Sequence, residues 1–332
     1  MIIEVYADVL CGWAYVGKRR LEQALRLLDR PATVLWRPFL IDPTAPRWST
    51  SLTSVIEEPG VADELARCGP GSVEENRARI RDAARDEGIE GDFGGRWRAS
   101  SWGAHRLISA ALRHGPEVQD RLVEELFRDH LVRHVDLNAL DRLTGLADRY
   151  ELPRPPGTDS LNAGLLYLEP GFEPSDPVER ATREALLTGR AIGVATSPTF
   201  VINGRVAVAG AQSAEVLAEA IATAPPAEPM PAEVRRLRLA EALLGARDPH
   251  GGRYLLQPLL DEHPDDPNVR SLHARIQAAT ASLAPAAGTL AELVADRPDD
   301  GYLRELYGRT LRRLGDDAGA QREFALADAL RG

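Results

Sequence analysis

One turn in the sequence has the residues for covalent chemistry. Asp8-Val9-Leu10-Cys11-Gly12-Trp13-Ala14-Tyr15-Val16-Gly17 joins a β-alternating segment to an amphipathic one, so Cys11 is expected at a helix N-terminus. Unpaired backbone N–H groups and the helix dipole there favour a thiolate, the nucleophilic form of cysteine. A lone cysteine is more often a small buried hydrophobe. Its place at the C-terminal edge of a sheet, where open α/β folds put ligands, favours the chemical reading. A second segment, Thr196-Ser197-Pro198-Thr199-Phe200-Val201-Ile202-Asn203-Gly204, brings a proline into a strand. Proline is tolerated there mainly at the first residue or on an edge. A cis Ser197–Pro198 bond would fit and would present the Ser197 backbone to a ligand; an ordinary trans proline is the commoner case.

Other residues admit two readings each. His105 opens a helical segment and is either a polar contact for a thiol ligand or a packed helix-start histidine. His130 and His134 have the i, i+4 spacing of paired metal ligands, but no third ligand is evident, so a solvated helix face is expected and no metal. Trp13 and Tyr15 either rim a substrate site or pack the first helix turn. Asp8 either relays a proton or ends its strand. Glycine-rich phosphate loops are absent.

Around the turn, Ile3–Ala7 reads as a strand, Gly12–Leu28 as a helix with Leu21, Leu25 and Leu28 on one face, and Thr33–Phe39 as a second strand. The stretch from about 42 to 191 reads mostly helical, most clearly over Glu74–Glu87, Ala104–Arg113, Val118–His130 and Leu137–Arg149. Two strands, Thr199–Ile202 and Val206–Val208, follow, turned at Asn203-Gly204, a strong hairpin signal. A helix over Ser213–Ala224 closes the region. The order β-α-β, helical insertion, β-β-α is α/β with thioredoxin topology and spans residues 1–224. Pro225–Pro231 is a proline-rich linker. Residues 232–332 show only helical periodicity. There His263-Pro264-Asp265-Asp266 recurs as Arg297-Pro298-Asp299-Asp300, 34 positions on, the tetratricopeptide period. Three helical hairpins are expected, with Pro-Asp-Asp ending one helix and capping the next.

These motifs together resemble a known family. The Asp8…Cys11-Gly12-Trp13-Ala14-Tyr15-Val16-Gly17-Lys18-Arg19-Arg20 segment is similar to the active-site segment of the DsbA-like thioredoxin superfamily. It is most like the FrnE and 2-hydroxychromene-2-carboxylate isomerase branch. Trp36-Arg37-Pro38-Phe39, Ala104-His105-Arg106-Leu107, Ser197–Gly204 and Val208-Ala209-Gly210-Ala211-Gln212 fit the same pattern. The resemblance implies Cys11 as nucleophile, with Gly12, Trp13, Ala14, Ser197, Pro198 and His105 around the active-site turn and substrate cleft. Redox members carry Cys-Pro-Trp-Cys; here Gly12 and Ala14 stand in place of the proline and the resolving cysteine. A dithiol enzyme needs that second sulfur to release a trapped mixed disulfide. Cys68 lies in a turn-rich loop and is expected to be inert.

Three functions follow as expectations: a monothiol thiol-disulfide oxidoreductase, a thiol-cofactor-dependent isomerase or transferase, and a redox-inactive client-binding protein. No tightly bound cofactor is expected; glutathione or another low-molecular-weight thiol would serve. A thioredoxin-like region followed by tetratricopeptide repeats also resembles the chaperedoxin arrangement, which points to a protein client on the repeats. The net charge of −10 argues against nucleic acid. Lys18 is the single lysine beside 39 arginines, a mark of coding bias rather than of an arginine patch. No apolar run would span a bilayer and no signal peptide is recognisable, so a cytoplasmic protein is expected. Two cysteines exclude a disulfide framework and a four-cysteine zinc site.

Overall fold

The structure, a computed structural model, describes residues 1–28, 30–46, 48–52, 72–93, 96–154 and 175–331. Two compact units divide the chain, Met1–Glu228 and Pro229–Gly332. The division falls inside the proline-rich segment 225–231.

The first unit is built on a four-stranded sheet, β1 (Ile2–Ala7), β2 (Thr33–Pro38), β5 (Thr199–Ile202) and β6 (Val206–Ala209), in the order β2-β1-β5-β6. The β1–β2 pair is parallel, with Val5 opposite Trp36. Such a connection needs a crossover, and α1 (Gly12–Leu28) supplies it. The β1–β5 and β5–β6 pairs are antiparallel, with Val5 opposite Phe200 and Phe200 opposite Val208. The hairpin turns at Asn203 and Gly204, whose φ angles of 52° and 66° are both positive. That is the backbone a two-residue turn of this hand demands, and it explains the Asn-Gly pair.

Between β2 and β5 come α2 (Val73–Asp86), α3 (Trp102–Ala111), α4 (Pro116–Leu131), α5 (Leu140–Arg149) and α6 (Pro177–Ala191). This stretch also holds a short antiparallel pair, β3 (Thr50–Ser51) with β4 (Trp97–Arg98). Two-residue strands carry no alternation, so periodicity reads the stretch as helical. Helices α3, α4 and α6 pack against β2, while α7 (Ala214–Thr223) packs with α1. One apolar core runs through sheet and helices, including Ile3, Val5, Val16, Leu122, Phe200 and Leu217. Tyr15 of α1 stacks on Phe127 of α4 at 5.0 Å between ring centroids.

The second unit consists of three helical hairpins: α8 (Ala232–Gly245) with α9 (Pro249–Glu262), α10 (Pro267–Ala279) with α11 (Leu283–Asp296), and α12 (Gly301–Leu314) with α13 (Asp317–Ala329). Asp266 caps α10 by accepting from Asn268 N and Val269 N, and Asp300 caps α12 by accepting from Leu303 N. The two Pro-Asp-Asp motifs therefore do the same work one repeat apart. A Cβ on Gly308 would stand 2.7 Å from the Phe324 ring, so α12 and α13 approach closely there. The unit has its own core around Ala274, Leu290, Leu293 and Leu303. Among the described residues, no helix is long and apolar enough to cross a membrane.

Candidate active site

Cys11 sits immediately before α1. Its backbone N–H donates to Asp8 O at 3.0 Å, and its carbonyl accepts from Ala14 N and Tyr15 N. The first turn of the helix is thus closed on Cys11 itself. Asp8 makes the turn rigid. Its buried carboxylate accepts from Leu10 N at 3.1 Å and from Ile41 N at 2.8 Å. One side chain therefore ties the nucleophile's turn to the segment after β2, a positioning role that neither sequence reading of Asp8 contained.

The second motif meets the first from the opposite side. The Ser197–Pro198 peptide bond is cis. Ser197 Oγ accepts from Asp8 N at 3.0 Å, and the Cys11 thiol donates to Ser197 O at 3.3 Å. A Cβ on Gly17 would come within 2.9 Å of Pro198 Cγ and 3.2 Å of the Phe200 ring. Glycine there lets α1 lie directly on the start of β5. So residues 186 positions apart in sequence converge on one sulfur.

Cys11, 8% exposed, opens on a cavity of about 140 Å³. Space of that order holds a group the size of a benzene ring. Gly12 and Trp13 line it as well. Trp13 is half-buried, with its indole N–H donating to Asn76 Oδ1 at 3.1 Å. A Cβ on Gly12 would lie 2.7 Å from Ile80 Cγ2. Helix α2 thus closes over the turn where a proline would stand in the redox members of the resembled group. Ala14 is fully buried and faces the core. Tyr15 is core too, and its hydroxyl donates to Glu124 Oε1 at 2.7 Å. Of the two aromatic residues flanking Cys11, one lines the cavity and the other packs the helix.

His105 lies behind the cleft rather than on it. It is 1% exposed, and its Nε2 is 2.9 Å from Phe39 O and 3.7 Å from Asp8 Oδ1. The histidine on the cavity is His130, in the last turn of α4. It is 4% exposed, which overturns the expected solvated helix face. Helix α4 turns this position onto Cys11's cavity, and that placement comes from tertiary packing, invisible in an i, i+4 pair of polar residues. His134 lies beyond the helix at φ 57° and pairs with Asp92 at 3.0 Å. The described residues contain no cluster able to hold a metal. Cys68 falls outside the described residues.

Burial lowers the His130 pKa to about 4, against the opposing pull of the Asp8 charge. An unfolded histidine titrates near 6.5, so between these values the unfolded chain binds a proton that the folded chain refuses. Stability present above pH ~6.5 is therefore lost as pH falls towards ~4, by an amount on the order of 2–3 kcal/mol. Denaturant midpoints at pH 7 and 4.5 are expected to differ more for the native chain than for His130→Gln. Parallel pH dependence in the two would show that His130 is not held neutral.

Residues 2–155 match the model for the DsbA-like thioredoxin domain. The N-terminal unit carries a DsbA-like thioredoxin domain. Residues 243–310 match a tetratricopeptide repeat, and the hairpins from α9 to α12 lie across them. The crystal structure of a probable DsbA oxidoreductase from Streptomyces coelicolor is similar over 70% of this chain and 94% of that one, with 26% identity and a TM-score of 0.52. No curated protein sequence matches. Within the DsbA-like domain, β5, β6 and α7 complete the sheet side of the site beyond the matched residues, and Ser197 belongs to that completing part.

Proposed function

We propose that this chain is a thiol-disulfide oxidoreductase that works with one cysteine, Cys11. The observation that carries the proposal is the Cys11 sulfur, placed at the N-terminus of α1 and facing a cavity, with Ala14 where a resolving sulfur would stand. The DsbA-like domain and the similarity to a probable DsbA oxidoreductase support the reaction class. The positive end of the α1 dipole favours negative charge on Cys11 Sγ, while the Ser197 carbonyl holds the proton of the resting thiol. Attack on a disulfide forms a Cys11 mixed disulfide and expels a thiolate. An external low-molecular-weight thiol, such as glutathione, then attacks that mixed disulfide and frees Cys11. A thiol-cofactor isomerase or transferase would use the same sulfur position without net redox change.

The repeats are proposed to bring a protein client. A groove of about 250 Å³ on the second unit is lined by Leu237, Asn268, Arg275 and Tyr302, from the first helices of successive hairpins, and by Arg297 at the end of α11. Tyr302 is 55% exposed, an aromatic surface suited to a peptide.

Intact-mass measurement after incubation with oxidised glutathione tests the proposal. One glutathione adduct is expected, mapping to Cys11, stable until a small thiol is added, and absent from Cys11→Ser. An unmodified Cys11 beside a modified Cys68 would sink the catalytic reading and favour the client-binding one.

A further inference from the structure

Two polar side chains on the Cys11 cavity carry groups without a partner among the described residues. His130 Nδ1 is buried and makes no hydrogen bond. Arg77, on α2, is half-buried, lines the same cavity, and makes no ion pair or hydrogen bond among the described residues. The other charged groups on the wall neutralise each other: Arg98 Nε donates to Asp42 Oδ2 at 2.8 Å and its Nη2 donates to Thr44 Oγ1 at 3.0 Å. His130 is neutral at physiological pH. Among the described residues, one uncompensated positive charge therefore remains on a wall whose other members, among them Trp13, Leu52, Ile80, Phe93 and Leu131, are largely apolar. A half-buried guanidinium without a partner is a seat for an anion, and a carboxylate suits its planar donors.

We propose that the cavity selects a small disulfide, or its thiol, with an apolar body and a carboxylate, the carboxylate seated on Arg77 and the sulfur presented to Cys11. This rests on the thiol-disulfide reading above and names its small-molecule substrate class. The step balances simply. The Cys11 thiol loses its proton to water, and the thiolate attacks one sulfur of the ligand. The ligand's S–S bond breaks as the Cys11–S–S–R bond forms. Cys11 is oxidised, and the departing half leaves reduced, as a thiolate carrying the electron pair. The chain as a whole carries a net charge of −10, which repels anions. A preference for an anionic ligand would therefore be local to the cavity.

Two aromatic disulfides serve as probes: dithiobis(nitrobenzoic acid), with a carboxylate on each ring, and uncharged dithiodipyridine. Rates at Cys11 are measured on the full chain carrying Cys68→Ser, each divided by the probe's rate with mercaptoethanol. The anionic probe is expected to be favoured about tenfold, the size of one charge-assisted hydrogen bond partly open to water. Arg77→Leu is expected to abolish the preference. Arg81→Leu, an exposed change on the same helix, is expected to keep it. His130→Phe is expected to slow both probes and leave their ratio intact. Equal normalised rates in the native chain, or equal losses from Arg77→Leu and Arg81→Leu, would overturn the seat while leaving Cys11 as nucleophile. A ratio that collapses with His130→Phe and survives Arg77→Leu would overturn it too. Failure of Cys11 to react with either probe would bring down the oxidoreductase reading itself.

Discussion

Ala14→Cys is expected to convert the mixed disulfide from a stable adduct into a transient one. Residues three apart at the start of a helix bring their Cβ atoms to about 5–6 Å, within reach of a disulfide after a small adjustment. Cys11 and Ala14 have that relation, because Ala14 N donates to Cys11 O at 3.0 Å. A thiol at 14 would attack the Cys11 mixed disulfide from within the molecule. Oriented intramolecular groups act at effective molarities far above any external thiol concentration, so release should quicken by about a hundredfold or more at sub-millimolar external thiol. Turnover of insulin disulfides without added small thiol should rise in parallel. Ala14 is 0% exposed, so the extra sulfur must enter a filled core, and a loss of about 1–3 kcal/mol in the reduced form is expected. Release rates from a Cys11–glutathione adduct, followed by mass, distinguish the outcomes. If the native chain releases its adduct as fast as the variant, without external thiol, and loses that ability in Cys68→Ser, then Cys68 is the resolving thiol and the monothiol mechanism is wrong.

Much of this arrangement is legible in the sequence because it is local. Asn203-Gly204 specifies a turn with two positive φ values, and Asp266 and Asp300 specify helix starts one repeat apart. Cys11 reads as a helix-start residue because a strand pattern stops at Ala7 and a helix pattern starts at Gly12. What escapes the sequence is set by packing between distant segments. The clamp of Asp8 on Ile41 N links residues 33 apart and has no local signature. His130 faces the cavity and not the solvent expected for it, and His105 is sealed behind Asp8, the packed one of its two readings. Nothing in the spelling of α2 marks Arg77, among its arginines, as the one on the cavity, because that placement is a property of neighbours.

Cutting the chain after Glu228 is expected to leave a folded domain that keeps its small-molecule chemistry and loses its protein chemistry. Each unit has a core of its own, one built around Val5, Phe127 and Phe200, the other around Leu290, Leu293 and Leu303. The cut preserves the contacts that finish the first unit: Asn203 Nδ2 donates to Pro225 O at 3.0 Å, and Arg205 pairs with Glu228 at 2.8 Å. A cooperative thermal transition is therefore expected for the 1–228 fragment. Cys11 should label with dithiodipyridine at the rate seen in the full chain, since Asp8, Ser197 and the cavity walls all lie before the cut. Protein clients should behave differently. Tethering a second contact raises its effective concentration, and losing the tether is expected to weaken client capture by about tenfold or more at limiting concentration. Suppression of aggregation of an unfolded, disulfide-bonded client, and the yield of its Cys11 adduct, are the readouts. A fragment that handles such a client as well as the full chain would rule out recruitment by the repeats. An insoluble fragment would instead assign them to stabilising the DsbA-like domain. Loss of both client readouts with small-disulfide labelling intact is the pattern that recruitment requires, because it separates the site that reacts from the surface that gathers.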